Sequence, residues 1–523
     1  MFAQTERPKL VVGIVVDQMR QDYLYRFWDK FGDNGFKKIA TYGYMCKNTH
    51  YNYIPTFTGP GHATIYTGTT PKFHGIIANT WYDKTNKNYL YCTQDPSVNT
   101  VGSEPSTYGQ MSPKNLLSTT ITDELKIFTQ KKSKVIAVSI KDRGAILPGG
   151  HMADAAYWFE GGNSGKFITS SFYLNELPEW VNKFNAKNLP GEYLSKPWAT
   201  LLPIKDYTES YKDDSPYEGK YVGESKPIFP HNLPKLKEAN GNYSLIKATP
   251  FGNTLVTEFA INAILNENLG KNSSTDFLCI SYSSTDYVGH QFGPNSIELE
   301  DTYLRLDKDL EKLVGFLEKN VGKENFILFL TADHGAAFNP QFLIDNKVPA
   351  GYFNYTPIKK LLKEYALSLC NDTSLIASLS NDQVFINEQL VKEKNLNLHQ
   401  IEKDIQSLIT PLNGIQAVYT KHQLIQHPGN DLIANGINPQ RSGNVIFILQ
   451  PGWIDGYSLT GTTHGSGYNY DTHVPLIWYG KNIPMGYTSQ PVAITDIVYN
   501  LALMLNIPFP NTTFGKPIYG LIK

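Results

Sequence analysis

The chain has 523 residues with a formal net charge of -1; 41% of its residues are hydrophobic and 18% are charged. This length and apolar content suit one large α/β domain that carries insertions. No basic tail or polybasic run stands out, which argues against nucleic acid or an anionic membrane as a main partner. No run of about 18 apolar residues predicts a membrane span.

Short apolar runs that alternate with helical patterns predict a doubly wound, mostly parallel α/β sheet sandwiched by helices. In chain order, strands are predicted at residues 10–16, 135–140, 277–282, 326–330, 445–449 and 474–478. Helices are predicted at 112–128, where Ser112 and Pro113 are typical of an N-terminus, at 255–269 as an amphipathic helix, and at 297–319. The last one predicts a buried stripe that consists of Leu299, Tyr303, Leu306, Leu310, Leu313 and Leu317.

Two stretches break this alternation and predict insertions within a single catalytic domain that spans residues 1–523. Residues from about 150 to 250 are rich in aromatic residues, proline, glycine and asparagine, and we expect them to fold over a site. Residues from about 345 to 440 combine strand-like and helical patterns, which predicts a small α+β insertion.

Charged side chains recur where the predicted strands end. The groups that follow the first four strands, together with one histidine near the C-terminus, are Asp17, Lys141, Arg143, Asp286, His290, Asp333, His334 and His464. Ligands of open α/β sheets bind outside the carboxyl ends of the strands, so these side chains mark a candidate site. Alone, each would be interpreted as a cap or a surface group.

Six of these groups have the chemistry of metal ligands, namely Asp17, Asp286, His290, Asp333, His334 and His464. Oxygen and nitrogen ligands without sulfur suit catalytic zinc. Asp286 and His290 are four residues apart, so one helical turn would place them on the same face. Six ligands can hold two metals, and a two-metal site clamps the attacking and leaving oxygens of a phosphoryl transfer.

The candidate nucleophile is Thr58, which lies where a strand-like run meets the small-residue start of a helix. A hydroxyl at a helix N-terminus meets backbone N–H groups that favour a phosphoryl anion. Coordination by a metal would activate the hydroxyl, so Thr58 is also a candidate ligand. Thr56 is a rival on the sequence alone, and a plain N-cap is the alternative role of Thr58.

Three more side chains are candidates for holding a phosphoryl group. Lys141 and Arg143 are two residues apart, so on an extended chain they point the same way, and such a pair would stabilise a dianionic phosphoryl group. Asn79 could donate a further hydrogen bond. A solvated turn is the alternative for the pair, and a turn residue is the alternative for Asn79.

Other histidines are predicted to be structural. His62 and His74 lie close to Thr58 and are expected to pack against it or orient it, and His473 precedes an apolar strand. Insertions and loops without evident partners contain His151, His231, His399, His422 and His427. Cys46 and Cys92 flank the motif-rich segment, and a disulfide between them is a further hypothesis.

Along nearly the whole chain, these motifs resemble the alkaline phosphatase superfamily and, within it, the bacterial PafA-type alkaline phosphatases. The segments that carry the resemblance, in the superfamily's order, are Asp17, Thr58-Gly-Pro-Gly-His62, residues 67–76, Asp286-x-x-x-His290, Asp333-His334-Gly335, Thr463-His464-Gly465 and the closing residues 495–517.

The resemblance implies two zinc ions and a role for each site residue. The zinc that stabilises the leaving-group oxygen would be held by Asp286, His290 and His464. The zinc that binds and activates Thr58 would be held by Asp17, Asp333 and His334. Thr58 would attack phosphorus and form a phosphothreonine that water then hydrolyses. The phosphoryl oxygens would be bound by Asn79, Lys141 and Arg143.

Differences between the motifs of this chain and those of related families indicate which substrate class to expect. The sulfatase motifs C-x-P-x-R and S-x-P-x-R are absent, and Thr58 fits poorly with the serine nucleophile of cofactor-independent phosphoglycerate mutases. The block from Thr58 to Ile76 is similar to that of nucleotide pyrophosphatase/phosphodiesterases, which lack a Lys–Arg pair for a dianion. Lys141 and Arg143 therefore favour a phosphomonoester hydrolase of broad substrate range. A phosphodiesterase is the first alternative, and a binding module without turnover is the second.

The resemblance also implies a location outside the cytoplasm. Residues 1–4 lack the charged and apolar regions of a signal peptide, which fits a cytoplasmic protein or a mature form whose signal peptide has been removed. We expect the second, a periplasmic or secreted enzyme, since such enzymes commonly scavenge phosphate. We expect a monomer that acts on small-molecule phosphate monoesters.

Overall fold

The computed structural model describes residues 7–426, 431–456 and 458–522, so the structural role predicted for His427 concerns a residue outside these ranges. The strands are β1 (Leu10–Val16), β2 (Tyr44–His50), β3 (Thr80–Asp83), β4 (Asn88–Tyr91), β5 (Thr100–Val101), β6 (Val135–Ser139), β7 (Ala155–Glu160), β8 (Lys166–Ser170), β9 (Asp276–Tyr282), β10 (Phe326–Thr331), β11 (Gly351–Phe353), β12 (Ile376–Ser380), β13 (Gln383–Ile386), β14 (Ile415–Thr420), β15 (Val445–Leu449), β16 (Trp453–Asp455), β17 (His473–Gly480), β18 (Gly486–Thr488) and β19 (Val492–Ala493).

The α-helices are α1 (Asp22–Arg26), α2 (Phe36–Thr41), α3 (Thr58–Thr67), α4 (Pro71–His74), α5 (Ile121–Phe128), α6 (Asp142–Gly149), α7 (Glu179–Ala186), α8 (Leu189–Tyr193), α9 (Leu233–Leu236), α10 (Phe251–Asn266), α11 (Ser284–Phe292), α12 (Ile297–Asn320), α13 (Pro340–Asp345), α14 (Thr356–Cys370), α15 (Glu388–Glu393), α16 (Leu398–Ile409), α17 (Lys421–Gln426), α18 (Asp431–Ala434), α19 (Asn469–Thr472) and α20 (Asp496–Leu505). Within the described ranges, no helix is both long and apolar enough to cross a membrane.

One large sheet forms the centre of the molecule, with strands in the order β18-β2-β17-β10-β1-β9-β6-β7-β8-β5 and with β19 paired to β2. Its central strands β10, β1, β9, β6 and β7 run parallel, whereas β17 is antiparallel to both β10 and β2. Every residue of β1, β6, β9 and β10 is buried, as expected for parallel strands covered on both faces by helices. The predicted fold class is confirmed.

The carboxyl ends of the central strands are aligned. Val15 pairs with both Ser281 and Thr331, and Ser281 pairs in turn with Ser139. The residues that follow these four strands therefore start from the same edge of the sheet. This is the edge at which ligands of open α/β sheets bind.

The prediction that residues 445–449 belong to the main sheet is wrong. This segment is β15 of a separate antiparallel sheet with the order β12-β13-β15-β14. That sheet packs with α14 and α16 around its own buried cluster, which includes Ile358, Ile405 and Phe447. An apolar run of five residues is compatible with either sheet, so the sequence could not distinguish them. Residues 351–455 are called the α+β unit below.

Two of the three predicted helices need correction. The helix at 297–319 is confirmed as α12, with its apolar stripe buried. At 112–128 the first half is not α-helical: Ser112 caps a single 3-10 turn, and α5 begins at Ile121, where Thr120 and Asp123 form a capping box. The helix predicted as amphipathic at 255–269 is α10, which is buried around most of its surface.

The segment expected to fold over the site, at about 150–250, begins with β7 and β8 of the main sheet. Beyond these strands it reaches loops of the site: the Gly461 N–H donates to the carbonyl oxygen of Tyr217 at 2.8 Å, and the Gly219 N–H donates to that of Gln291 at 2.8 Å. Residues 171–250 are called the cover below.

The hypothesis of a disulfide between Cys46 and Cys92 is wrong, because all four cysteines are free thiols. Cys46 lies in the main core, and Cys92 lies in a separate buried cluster with Trp81 and Leu147. The two residues flank the same motifs along the chain, but they are buried in different parts of the fold.

Candidate active site

The predicted metal ligands converge at the carboxyl edge of the main sheet. Two sets of three residues each place their ligand atoms within 4.8 Å of one another: Asp286 with His290 and His464, and Asp17 with Asp286 and His334. Asp286 thus belongs to both sets, whereas the sequence predicted two sets without a shared member. Asp333 adjoins the second set through Oδ2, which lies 3.5 Å from Nε2 of His334.

Secondary structure accounts for the positions of five of the six ligands. Asp17 follows β1 directly, and residues 333 and 334 come two and three positions after the end of β10. Asp286 and His290 lie on successive turns of α11 as predicted, with Asp286 Oδ1 3.1 Å from His290 Nε2.

The sixth ligand, His464, lies on a loop before α19. The carboxylate of Asp471 holds this loop, because its Oδ2 accepts hydrogen bonds from the backbone N–H groups of Gly465 and Ser466, at 3.1 and 2.8 Å.

The three ligand histidines share one hydrogen-bond arrangement. In each ring, Nδ1 lies close to a backbone carbonyl oxygen: His290 to Thr462 at 2.8 Å, His464 to Thr56 at 2.7 Å and His334 to Gly335 at 2.9 Å. A carbonyl oxygen can only accept, so Nδ1 carries the proton and Nε2 keeps a lone pair. Each Nε2 faces carboxylates. Proteins orient metal-binding histidines in this way.

Two carboxylate oxygens in the site are buried without a hydrogen-bond partner, Oδ1 of Asp17 and Oδ2 of Asp333. Nδ1 of His62 comes within 3.2 Å of Asp333 Oδ2, but it donates to the Thr58 carbonyl oxygen, 2.9 Å away. A buried, unpaired carboxylate oxygen is costly unless a cation compensates it. Together with the three Nε2 atoms, these oxygens form a donor set that fits zinc.

The pKa shifts of the site carboxylates also indicate that the site favours bound cations. Burial raises the pKa of Asp17 well above its ordinary value, and the charges of Asp286 and Asp333 raise it further. Burial acts in the same direction on Asp286, but His290 and Lys141 hold its pKa well below the usual range. Neighbouring buried carboxylates repel one another, so the site favours bound cations.

Thr58 is the first residue of α3 and is 1% exposed, and its Oγ1 lies 3.4 Å from Nε2 of His334. Its rival Thr56 is occupied elsewhere. The Thr56 hydroxyl donates to the carbonyl oxygen of Ser466 at 2.8 Å, and its own carbonyl accepts from His464. The geometry therefore favours Thr58 as the nucleophile and gives Thr56 a supporting position behind His464.

The start of α3 has fewer available N–H groups than the sequence suggested. The Gly59 N–H donates to Oδ1 of Asn79 at 2.7 Å, and Pro60 has no N–H. This bond uses the amide oxygen of Asn79 and leaves its NH₂ group as a donor.

Lys141 precedes α6 and Arg143 lies in its first turn, so the extended-chain argument does not apply to Arg143. Nζ of Lys141 lies 2.7 Å from Asp17 Oδ2 and 2.6 Å from Asp286 Oδ2, and thus joins the two ligand sets. Nη1 of Arg143 donates to the hydroxyl of Tyr91 at 2.9 Å, whereas its Nε is buried without a partner.

Sequence reasoning missed two residues of the site. Gln18 donates from its backbone N–H to Asp333 at 3.1 Å and from Nε2 to Asp286 at 2.8 Å. Its place directly after Asp17 was an available signal. Tyr91, which also donates to Asp142 Oδ1 at 2.6 Å, had none, since it reaches α6 only through the folding of the β3–β4 hairpin.

The prediction that His151 and His231 lack partners is wrong. His151 lies 3.2 Å from Asp123. His231, in the cover, lies 2.8 Å from Glu224 and 3.2 Å from Glu298.

The family model for type I phosphodiesterase / nucleotide pyrophosphatase matches residues 11–469. The chain is 46% identical to a protein of Myroides odoratus named calcium-transporting ATPase, over 99% of this chain and 95% of that protein. It is 43% identical to alkaline phosphatase PafA of Elizabethkingia meningoseptica, over 99% and 95%. It is 46% identical to alkaline phosphatase PhoV of Synechococcus elongatus, over 100% and 94%.

A crystal structure of alkaline phosphatase PafA, 43% identical, matches with a TM-score of 0.95 and covers 99% of this chain and 100% of that one. A second structure is a PafA variant in which a threonine, an asparagine, a lysine and an arginine are replaced, separated along the chain by 21, 62 and 2 residues. The same separations occur here between Thr58, Asn79, Lys141 and Arg143.

Proposed function

Because this chain belongs to the type I phosphodiesterase / nucleotide pyrophosphatase family and is an alkaline phosphatase within it, we propose that it hydrolyses phosphate monoesters with two zinc ions and a phosphothreonine at Thr58. The observation that carries this proposal is the contact of Thr58 Oγ1 with Nε2 of His334, 3.4 Å apart, where the predicted ligands converge. A small-molecule phosphate ester is the substrate class.

The zinc ions are assigned to two sets of ligands. One set is Asp17, Asp333 and His334, and the other is Asp286, His290 and His464, with Asp286 close to both. Bound zinc supplies Lewis-acid chemistry, which lowers the pKa of a hydroxyl or water and offsets charge on a leaving oxygen. The unpartnered oxygens of Asp17 and Asp333 support this assignment.

Thr58 attacks phosphorus through Oγ1. The Thr58 hydroxyl loses its proton to water, the bond from phosphorus to Oγ1 forms as the bond to the leaving-group oxygen breaks, and that oxygen takes a proton from water. A second water molecule then hydrolyses the phosphothreonine, which releases phosphate and restores the Thr58 hydroxyl. His62 holds the first turn of α3 in place for this step, since it donates to the Thr58 carbonyl oxygen and lies 2.8 Å from the hydroxyl of Ser281.

Lys141, Arg143 and Asn79 bind the phosphoryl oxygens. Two positive charges stabilise a dianionic monoester more than a diester, which carries a single negative charge at the reacting group. The matching separations of the four residues replaced in the PafA variant support this assignment.

A phosphodiesterase is the second candidate, and the description of the matching family model favours it. In that case Lys141 and Arg143 contribute little to the choice of substrate. We further propose a periplasmic or secreted location, as the resemblance implies. Activity in the periplasmic fraction or culture medium of the source cells would support it, and activity confined to the cytoplasm would contradict it.

The test uses one zinc-loaded preparation, on which metal content and kcat/KM are measured for a monoester and a diester with the same leaving group. About two zinc ions per chain and a monoester-to-diester ratio well above one are expected. Two zinc ions with a ratio below one would assign the chain to the phosphodiesterases. No stoichiometric metal, and no recovery on adding zinc, would overturn the metal site. Trapping the intermediate with labelled substrate should modify Thr58; a label on Thr56 would overturn the choice of nucleophile.

A further inference from the structure

A cavity of about 210 Å³ lies between the main domain and the α+β unit, directly beside the candidate active site. Its wall includes His464, one of the ligands, and Phe57, which precedes Thr58. The ring centroids of Phe57 and His464 are 5.8 Å apart. None of the roles proposed above uses this cavity.

Aromatic rings form much of its wall, contributed by Phe57, Tyr355, Phe447, Trp453 and Tyr470. The face of an aromatic ring carries negative electrostatic potential, so several rings around one space attract an organic cation. Nonpolar ligands also bind such walls, and the charged groups of the cavity decide between the two.

Three carboxylates line the same space, those of Asp382, Asp455 and Asp471, and its described lining residues include no lysine or arginine. Burial, with the neighbouring charge of Asp455, raises the pKa of Asp382 to about 6, and the Tyr355 hydroxyl donates to it at 2.7 Å. A cation in this space would reduce the repulsion between Asp382 and Asp455.

We propose that the cavity binds an organic ammonium ion, enclosed by the aromatic rings and paired with Asp382. An uncharged ligand would leave the repulsion between Asp382 and Asp455 in place. A bare divalent metal ion fits less well, because these three carboxylates, all among the described residues, do not bring ligand atoms within 4.8 Å of one another.

The ammonium group has two sources with the same chemistry. It is either a free amine or the leaving group of an aminoalkyl phosphate. The second source rests on the proposed function, which places His464 beside the leaving-group oxygen. The first source does not depend on it.

Binding is tested on the full-length, zinc-loaded protein by calorimetric titration with choline, and with its uncharged isostere 3,3-dimethylbutan-1-ol as control. Choline is expected to bind at least about tenfold more tightly than the isostere, since only the cation pairs with the carboxylates. No heat with choline, or equal affinity for both compounds, would overturn the proposal.

Variants locate the bound cation. Asp382→Asn should weaken choline binding about tenfold. Asp404→Asn, which removes a carboxylate of the same α+β unit outside the cavity, should leave it unchanged. Trp453→Leu removes a ring instead of a charge and should also weaken binding, and hydrolysis of p-nitrophenyl phosphate reports that each variant is folded. Choline affinity unchanged in both cavity variants would contradict the site.

The source of the ammonium follows from kcat/KM for choline phosphate relative to 3,3-dimethylbutyl phosphate. A ratio above one that falls towards one in Asp382→Asn assigns the cavity to the leaving group. A ratio of one in the wild-type protein, with choline binding intact, assigns it to a free amine. Choline binding without hydrolysis of either phosphate would overturn the proposed function and leave the cation site standing.

Discussion

Histidines are buried among carboxylates in two regions of this molecule, the candidate metal centre and the cover, and their hydrogen bonds differ. In the centre, His334 donates from Nδ1 to a backbone carbonyl oxygen, which leaves the lone pair of Nε2 available to a metal ion. In the cover, His231 has Nδ1 2.8 Å from Glu224 and Nε2 3.2 Å from Glu298. Because each ring nitrogen of His231 pairs with a carboxylate, neither nitrogen is available to a metal ion.

The charge of each ring follows from these partners. Burial lowers the pKa of His334 to about 3, so its ring is neutral and able to bind a metal. Burial also opposes protonation of His231, but hydrogen bonds to Glu224 and Glu298 raise its pKa to about 9. His231 is thus an imidazolium that ties the cover to α12. The partner of the second ring nitrogen, rather than the number of nearby carboxylates, separates a ligand from a structural histidine.

The largest expected effect comes from replacing His334, the candidate ligand. His334→Gln should release about one zinc ion per chain and lower kcat/KM about a thousandfold or more, because Lewis-acid activation beside Thr58 is lost. Metal analysis and steady-state kinetics on the same sample check this. Full zinc content with near wild-type activity would mean that His334 is structural, as His231 is.

Lys141 extends the comparison, since it too is a buried cation between carboxylates, but these carboxylates belong to the candidate metal centre. The double variant Lys141→Ala with Arg143→Ala should lose about 100-fold or more in kcat/KM for a monoester, since each contact to a charged group contributes about 1.5–3 kcal/mol. The loss for a diester should be smaller. Equal losses on both substrates would reduce the pair to a structural role.

The matched change in the cover should affect stability instead of activity. His231→Gln removes the cation between Glu224 and Glu298 and should lower the free energy of unfolding by about 3 kcal/mol at neutral pH. Zinc content and kcat/KM should stay near wild type. Denaturant unfolding measures the free energy of unfolding and kinetics measures kcat/KM, with His399→Gln, at a half-buried histidine outside both regions, as control. A loss of zinc in His231→Gln would break the distinction between the two regions.

The positive charge of His231 also predicts that its contribution to the free energy of unfolding depends on pH. Since the pKa of His231 is raised from about 6.5 in the unfolded chain to about 9, its contribution is complete below pH of about 6.5 and is lost as the pH rises through about 9. The difference in unfolding free energy between the wild-type protein and His231→Gln should therefore shrink by about 3 kcal/mol between neutral and alkaline pH. A constant difference would show that His231 is not charged.

The smallest effect is expected at Tyr91, which holds Arg143 without touching the ligands. Tyr91→Phe removes two hydrogen bonds, one from Arg143 and one to Asp142. Loss of the bond from Arg143, worth about 1 kcal/mol, should lower the monoester-to-diester ratio about fivefold. Tyr89→Phe, on the same hairpin but 56% exposed, is the control and should change nothing. An unchanged ratio in Tyr91→Phe would show that α6 alone orients Arg143.

Much of the fold and the choice of candidate ligands followed from the sequence. Alternating apolar runs and helical stripes predicted the central parallel strands, and the charged residues after them were predicted to share one edge because parallel strands end together. The errors fall where local pattern is ambiguous, as at residues 445–449, or where a capping signal was overlooked, as at Thr120.

By itself, then, the sequence determined which residue types stand at the ends of the strands, because local periodicity predicts where the strands end. The residue types in turn determine which chemistry the site offers. Only the tertiary structure decided that Asp286 is near both ligand sets, that Thr58 rather than Thr56 contacts His334, and that Tyr91 holds Arg143. Those relations join segments far apart along the chain, as in the bond from Thr56 to Ser466 across 410 residues. They depend on side-chain directions that arise only when these segments pack together.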